Sequence, residues 1–365
     1  MSTGSETRPG VVTPLAHGEA LLARSHVCVL GGGISAEDEI SLASARRIAD
    51  ALGTRTDAED LRGPAEVSLV VIEKDGRWRL GDRCAAPPEA LGSFCADVDL
   101  FFLGLHGDAG EDGTLQGFLH TAGRAFTGSA VAGSAVAMDK VFARAVLEGA
   151  GACVAPGVAF GREEWAEERS ALCSKLSHLG QRNGWVVKPR SGGSSLGTTV
   201  VREEGELESA VATALAVEPR VLVEALVEGI EVTGAVLAGE TGPFALPVVE
   251  IQPRSGSFFD YEEKYSQSGA REVCPPESLG PEECARVQEL SLLAHRLLRC
   301  DGYSRSDFLV PRPSTGFCEP VFLELNTLPG MTERSLLPIA ASAAGLDYRS
   351  LCLRIAALAL AGRDA

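Results

Sequence analysis

The chain has 365 residues, 45% of them hydrophobic and 23% charged, and a formal net charge of −17 at pH 7. That length exceeds one typical hydrophobic core and calls for two or three domains, while the acidic balance excludes nucleic acid and anionic membrane as main partners. Any anionic ligand must be held by local lysines, arginines and backbone N–H groups, against the net field.

The first 25 residues lack the uninterrupted apolar run of a signal peptide and are expected to be a disordered tail, and every later apolar stretch is too short to span a membrane. His26–Leu30 reads as a buried strand ending in Gly31-Gly32-Gly33, followed by a helix from about Ala36 to Leu52 with Ser35 as its N-cap. Gly31 to Ala36 satisfies GxGxxA, but the acidic residue expected at the end of a second strand about 20 residues on is missing, so a dinucleotide reading is weak. Such a loop can bind any small anion or polar ligand. Glu37, in the first helical turn, suits a substrate ammonium; its plainer role is to complement the helix dipole. Val67–Glu73 and Val98–Leu105 are further strands, so this region alternates strand and helix and should hold a parallel sheet. Ala135–Gly149 is predicted as one helix, on which Lys140 is either a solvated lysine or a phosphate contact.

Trp185–Lys188 and Thr198–Val201 are expected to form a hairpin around a glycine- and serine-rich loop that includes Ser194 and Ser195. Its backbone N–H groups can converge as an anion nest, with Lys188 beneath; the lysine precedes the glycines, so this is no Walker A loop. Glu206–Ala216 reads as a helix and Val221–Glu224 as a strand. Glu224 and the backbone of Ala225 to Val227 are placed to read an adenine edge, and Glu231 to accept from ribose hydroxyls; alone, these would be solvated acids. Phe258 to Tyr265 is an aromatic, charged loop of the kind that closes over a site, with Lys264 and Tyr265 its working residues.

Two strand-like segments follow, Gly302–Phe308 and Val321–Thr327. Residues two apart face one side of a strand, which groups Arg305 with Asp307 and Glu324 with Asn326. If the strands are antiparallel neighbours, three hard oxygen ligands suited to Mg²⁺ converge with one guanidinium; the plainer reading is a half-buried salt bridge on a hairpin. Leu328-Pro329-Gly330-Met331-Thr332 leaves in a turn beside them, and Tyr348–Ala361 is an amphipathic helix. Ten cysteines never occur as CxxC and read as single buried hydrophobes in a reducing cytosol. Three units are expected, over 26–128, 129–227 and 228–365.

The segment Leu105 to Gly117, LHGDAGEDGTLQG, resembles the LHGxxGEDGxxQG signature of D-alanine–D-alanine ligases, and Asn326 to Thr332 resembles their second signature. The glycine flap, the Glu224 strand and the Asp260–Tyr265 segment lie between these in the family's order, and the likeness covers roughly residues 26 to 361. The resemblance implies an α/β, three-domain ATP-grasp architecture: an N-terminal parallel α/β domain, then central and C-terminal α+β domains clamping ATP. It also implies that two D-alanines are joined for peptidoglycan synthesis, with two Mg²⁺ (or Mn²⁺) ions, in a cytoplasmic homodimer. In that family pattern Lys140, Lys188 and Lys264 hold phosphates under a flap containing Ser195. Glu224, Val227 and Glu231 bind the nucleoside, and Asp307, Glu324 and Asn326 hold the metal ions. Glu37 binds the first D-alanine's ammonium, positioned by Ser194 and Tyr265, with His106 near its carboxylate. Arg305, the Gly330 N–H and Ser335 receive the second D-alanine and the oxyanion, and Leu336 packs at its methyl.

Three departures stand out: a first loop one residue longer than the common pattern, Gly192 where a flap Glu is frequent, and Leu226 in place of an aromatic beside adenine. The near alternative is a D-Ala–D-lactate or D-Ala–D-Ser ligase. Depsipeptide-forming relatives lack the Lys-Tyr pair present here as Lys264 and Tyr265, which favours the dipeptide. A Rossmann dehydrogenase would leave the metal cluster without a use, and an inactive nucleotide sensor would not need it intact.

Overall fold

A computed structural model describes residues 14–54, 62–180, 183–193, 195–253, 270–312 and 318–362. The candidates Ser194, Lys264 and Tyr265 lie outside the described residues.

The chain opens with helix α1 (Pro14–Leu22), so the expected tail does not extend to residue 25. Strands β1 (His26–Gly32), β2 (Glu66–Ile72), β3 (Trp78–Leu80), β4 (Arg83–Ala85), β5 (Leu100–Leu103) and β6 (Ala125–Phe126) form one sheet, ordered β4-β3-β2-β1-β5-β6. Its β2-β1-β5-β6 core is parallel, as expected, and β1 and β5 are buried along their whole length. Parallel strands covered on both faces read as continuous apolar runs, which His26–Leu30 and Leu100–Leu103 are. Helices α2 (Asp38–Gly53), α3 (Pro87–Gly92) and α4 (Thr114–Thr121) complete this unit. Helix α2 starts later than predicted. Glu37 occupies its cap position, while Ser35 Oγ accepts from Glu37 N–H and donates to the His106 carbonyl.

The single helix predicted over Ala135–Gly149 is two, α5 (Val131–Met138) and α6 (Lys140–Gly149). Asp139 between them is extended, and its carboxylate accepts from the Val141 and Phe142 N–H groups, which restarts the helix. Strand β7 (Cys153–Val154) then joins the third sheet, so residues 131–154 add to that sheet.

The second sheet, ordered β10-β9-β11-β8, is antiparallel and comprises β8 (Gly157–Gly161), β9 (Trp185–Pro189), β10 (Thr199–Val201) and β11 (Arg220–Ala225). Helices α7 (Arg162–Glu167), α8 (Arg169–Leu179) and α9 (Leu207–Val217) supply the apolar residues that pack on it. The predicted flap hairpin is β9–β10.

The third sheet runs β15-β14-β12-β16-β17-β7, from β12 (Ile230–Leu237), β14 (Val249–Gln252), β15 (Arg271–Val273), β16 (Tyr303–Val310), β17 (Val321–Asn326) and β7, with β13 (Phe244–Ala245) against β12. Helix α10 (Pro281–Leu297) packs on it. Helices α11 (Leu336–Ala343) and α12 (Tyr348–Ala361) then carry the chain back, and Leu351, Ile355 and Leu360 enter the first unit's core. Of the cysteines, Cys28, Cys95, Cys300 and Cys352 are buried, but Cys84 and Cys153 are exposed, so not all serve as core hydrophobes. Among the described residues no helix is long and apolar enough to cross a membrane.

Helix α1 crosses α12 so closely that a Cβ on Gly18 would collide with the Ala357 carbonyl. Gly18→Ala is therefore expected to destabilise by about 1–3 kcal/mol through overpacking. Thermal unfolding measures this, and an unchanged melting temperature would refute the close crossing.

Candidate active site

A cleft of about 1060 Å³ opens between the second and third sheets, lined by Lys140, Lys188, the flap, residues 224–231, Asp307 and Glu324. Lys188 and Glu224 sit diagonally on neighbouring strands β9 and β11 and share a face. Lys188 Nζ lies 2.5 Å from Glu224 Oε2, and Arg144 Nη1, from α6, lies 2.8 Å from Oε1. All three side chains are buried. Both Glu224 oxygens thus face cations, so this cleft-lining carboxylate is also a buried counter-ion. Val227 and Glu231 line the same cleft, as the sequence reading required.

Lys140 opens α6 and is buried rather than solvated. Its Nζ donates to the Gly192 carbonyl at 2.7 Å and stands 3.7 Å from Glu324 Oε2. Gly192 has φ +93°, in the left-handed region that favours glycine, and Ser195 beyond it has φ 57°. Across the cleft, a Cβ on Gly193 would lie 2.7 Å from Glu37 Oε2, so the flap backbone closes onto Glu37.

Strands β16 and β17 are antiparallel, with Arg305 opposite Asn326 and Asp307 opposite Glu324. Arg305 donates to both Asp307 oxygens, at 2.9 and 2.7 Å. Thr233 Oγ1 donates to Oδ1 at 2.7 Å, which fixes the carboxylate from a third strand. Two carboxylates and an amide oxygen on adjoining register positions, beside a cleft with lysines opposite, are a hard donor set that fits Mg²⁺.

A second network joins the signature loops. His106 Nδ1 donates to the Leu328 carbonyl at 2.9 Å. A neutral ring then accepts at Nε2, where Ser44 Oγ lies 2.9 Å away, and Ser44 Oγ itself accepts from Met331 N–H. Both ring nitrogens are therefore engaged, and His106 braces the Leu328–Met331 turn where the sequence reading set it against a substrate carboxylate. Burial lowers its pKa to about 4. Glu111 crosses the same gap, its oxygens accepting from Gly107 N–H at 2.9 Å and Leu328 N–H at 2.8 Å. Burial first, then the Glu37 carboxylate, raises its pKa to about 8 and outweighs those two N–H donors. In the turn, Gly330 lies where a Cβ would be 2.7 Å from Ser335 Oγ, and Ser335 Oγ accepts from Thr332 N–H. Leu336, the first residue of α11, is buried behind them.

Sequence reading missed Glu111, Arg144, Asp139, Arg190 and Thr233. Glu111 stands inside a quoted motif, Asp139 also caps α6 locally and Arg190 belongs to the quoted flap loop; Arg144 and Thr233 pair with residues distant in sequence and carry no local signal.

Two sheets bracketing a cation-lined cleft, with a glycine flap above and paired acids below, define the class: an ATP-grasp enzyme. Family models described as D-ala D-ala ligase N-terminus and C-terminus match residues 83–129 and 146–357. The D-alanine–D-alanine ligase of Leptospira interrogans (serovar Lai) is 37% identical over 351 residues, covering 89% of this chain and 95% of that protein. The VanG D-Ala:D-Ser ligase from Enterococcus faecalis superposes with TM-score 0.73 at 30% identity, covering 92% of this chain and 99% of that one. The ATP-complexed D-alanine–D-alanine ligase of Bacillus anthracis gives 0.70 at 26%, covering 93% and 98%. The chain belongs to the D-alanine–D-alanine ligase family.

His106 links the site to acid lability. The folded chain takes up its proton near pH 4, whereas the unfolded chain does so near 6.5. In that window the unfolded state binds more protons, so stability is lost as pH falls from 6.5 towards 4. His106→Asn should lose less stability across this interval than wild type, measured by urea midpoints; parallel losses would contradict the assignment.

Proposed function

We propose that the chain condenses two D-alanines to D-alanyl-D-alanine for peptidoglycan, converting ATP to ADP and phosphate through a D-alanyl phosphate. The observation that carries this reading is the convergence of Lys140, Lys188, Asp307 and Glu324 on one cleft beneath a flap that closes onto Glu37. The same reading makes the protein a cytoplasmic homodimer.

In the first step a carboxylate oxygen of D-alanine attacks the γ-phosphorus in line, and ADP leaves. Lys140 and Lys188, joined by Lys264, bind the phosphates and offset their charge, while Glu37 orients the ammonium with Ser194 and Tyr265. Positioning and neutralisation dominate this step. Asp307, Glu324 and Asn326 would hold two Mg²⁺ ions, which would supply further charge neutralisation. Next, the amine of the second D-alanine, having shed a proton, attacks the acyl carbon and expels phosphate. Arg305 and the Gly330 N–H stabilise the oxyanion, a contact type worth about 3–4 kcal/mol in the barrier. Ser335 receives the second carboxylate and Leu336 its methyl. Glu224 holds Lys188 in place, Val227 and Glu231 contact the nucleoside, and Ser195 closes the flap against water. His106 and Glu111 keep the Gly330 turn in register.

The likeness to a D-Ala:D-Ser ligase supports one alternative, D-serine as second substrate. ADP release and product mass, measured with D-alanine alone and with added D-serine or D-lactate, separate these outcomes, and D-Ala-D-Ala is expected as the main product. Mainly mixed product would overturn the choice of second substrate. Glu324→Ala should abolish ADP formation with the fold intact, and near-normal turnover would sink the metal assignment.

A further inference from the structure

The three residues that follow β9 are each tied down before the flap begins. Ser191 N–H donates to Glu218 Oε2 at 2.6 Å, and Gly192 N–H faces Met138 Sδ at 3.3 Å. Arg190 makes the charged contact. Its Nε–H is shared between the Asp139 oxygens, at 2.9 Å to Oδ1 and 2.8 Å to Oδ2, and its guanidinium lies over the Phe142 ring at 4.9 Å. Both partners are largely withdrawn from solvent, at 16% and 13% side-chain exposure, where an ion pair is less screened than on the surface. The backbones join as well, since Lys140 N–H donates to the Arg190 carbonyl.

Arg190 extends the second sheet, whereas Asp139 caps α6, which packs on the third. The pair therefore spans the two bodies that bracket the cleft, next to Lys140. We propose that Arg190 and Asp139 are positioning residues that set the flap's closed register over the nucleotide, and with it the place of Lys140 Nζ between Gly192 and Glu324. Neither side chain touches a reacting atom. This inference rests on the ligase reading for its kinetics but not for nucleotide binding.

Asp139→Asn keeps an oxygen for the α6 cap while removing the charge, and Arg190→Gln leaves the cap untouched. Each should raise the ATP KM, and the Kd of a non-hydrolysable ATP analogue measured by calorimetry, roughly fivefold to tenfold. Maximal ADP release should stay within about twofold, because the chemical groups remain. ADP should be released in excess of dipeptide, since a loosened flap admits water to the acylphosphate. The double variant should be no weaker than either single, and Arg190→Lys should recover part of the affinity. Wild-type KM and Kd in both single variants, or losses that multiply in the double variant, would overturn the clamp. If wild type makes no dipeptide while the variants still bind the analogue more weakly, the ligase reading fails and the clamp stands.

Discussion

Charged side chains buried together in a cleft must offset one another, because a buried charge left without a partner is costly. The Lys188–Glu224–Arg144 cluster meets that constraint with one carboxylate between two cations, at 2.5 and 2.8 Å. Much of the surrounding structure follows from it. The β9–β11 register puts residues 188 and 224 on one face. Helix α6 must begin at Asp139 to bring Arg144 to the carboxylate, and Lys140, four residues earlier, then lies on the same side of that helix. One helix thus reaches an acid from each sheet, Glu224 from the second and Glu324 from the third. Removing Glu224 alone would leave two buried cations uncompensated, a costlier loss than that of a surface pair.

A second axis runs between the ends of the chain. His106 and Leu328 are 222 positions apart, and Glu111 and Leu328 217, yet each pair is hydrogen-bonded. Helix α12 reinforces this by entering the first unit's core, with Tyr348 Oη donating to the Met331 carbonyl. The turn that carries Gly330 is therefore braced from α2, from the loop after β5 and from α12. Its geometry is a property of the whole first unit rather than of its own five residues.

Local alternation made the β16–β17 hairpin and its grouped polar residues readable. Arg305 and Asp307, like Glu324 and Asn326, are two apart in β-branched and aromatic surroundings, and a strand has only one way to face them. The flap hairpin and the final helix were readable on the same footing, because glycine runs and apolar periodicity are local signals. The break at Asp139 was not: an aspartate inside an apolar helical pattern caps a new helix here, and Arg190, 51 positions on, helps to fix its carboxylate. The neutral, doubly bonded state of His106 depends on Leu328 and Ser44, and the counter-ion role of Glu224 on Arg144. Neither dependence leaves a trace within a window of residues. Helix α1 was misread for a related reason, since its nine residues pack against α12 and carry no acidic residue in the first turn and no basic one in the last.

The cleft also reconciles an acidic protein with an anionic substrate. Lys140, Arg144, Lys188 and Arg305 gather in it or beside it, each against Glu224, Asp307 or Glu324. Among the residues that line the cleft, Lys140, Lys188 and Arg202 face Glu206, Glu224, Glu228, Glu231, Glu250, Asp307 and Glu324, so the lining is itself acidic, in a chain whose net charge is −17. Such a lining cannot balance a triphosphate, and the flap adds little, with its Gly192 backbone carbonyl turned to Lys140. The rest of the neutralisation has to arrive with the nucleotide. Divalent ions seated on Asp307, Glu324 and Asn326 would cancel both the acids' own charge and part of the phosphate's, which no further lysine could do without another buried counter-ion. On the proposed reading, the acidic face of the β16–β17 hairpin is thus consistent with an anionic substrate, because its carboxylates would seat the cations that the cleft lacks.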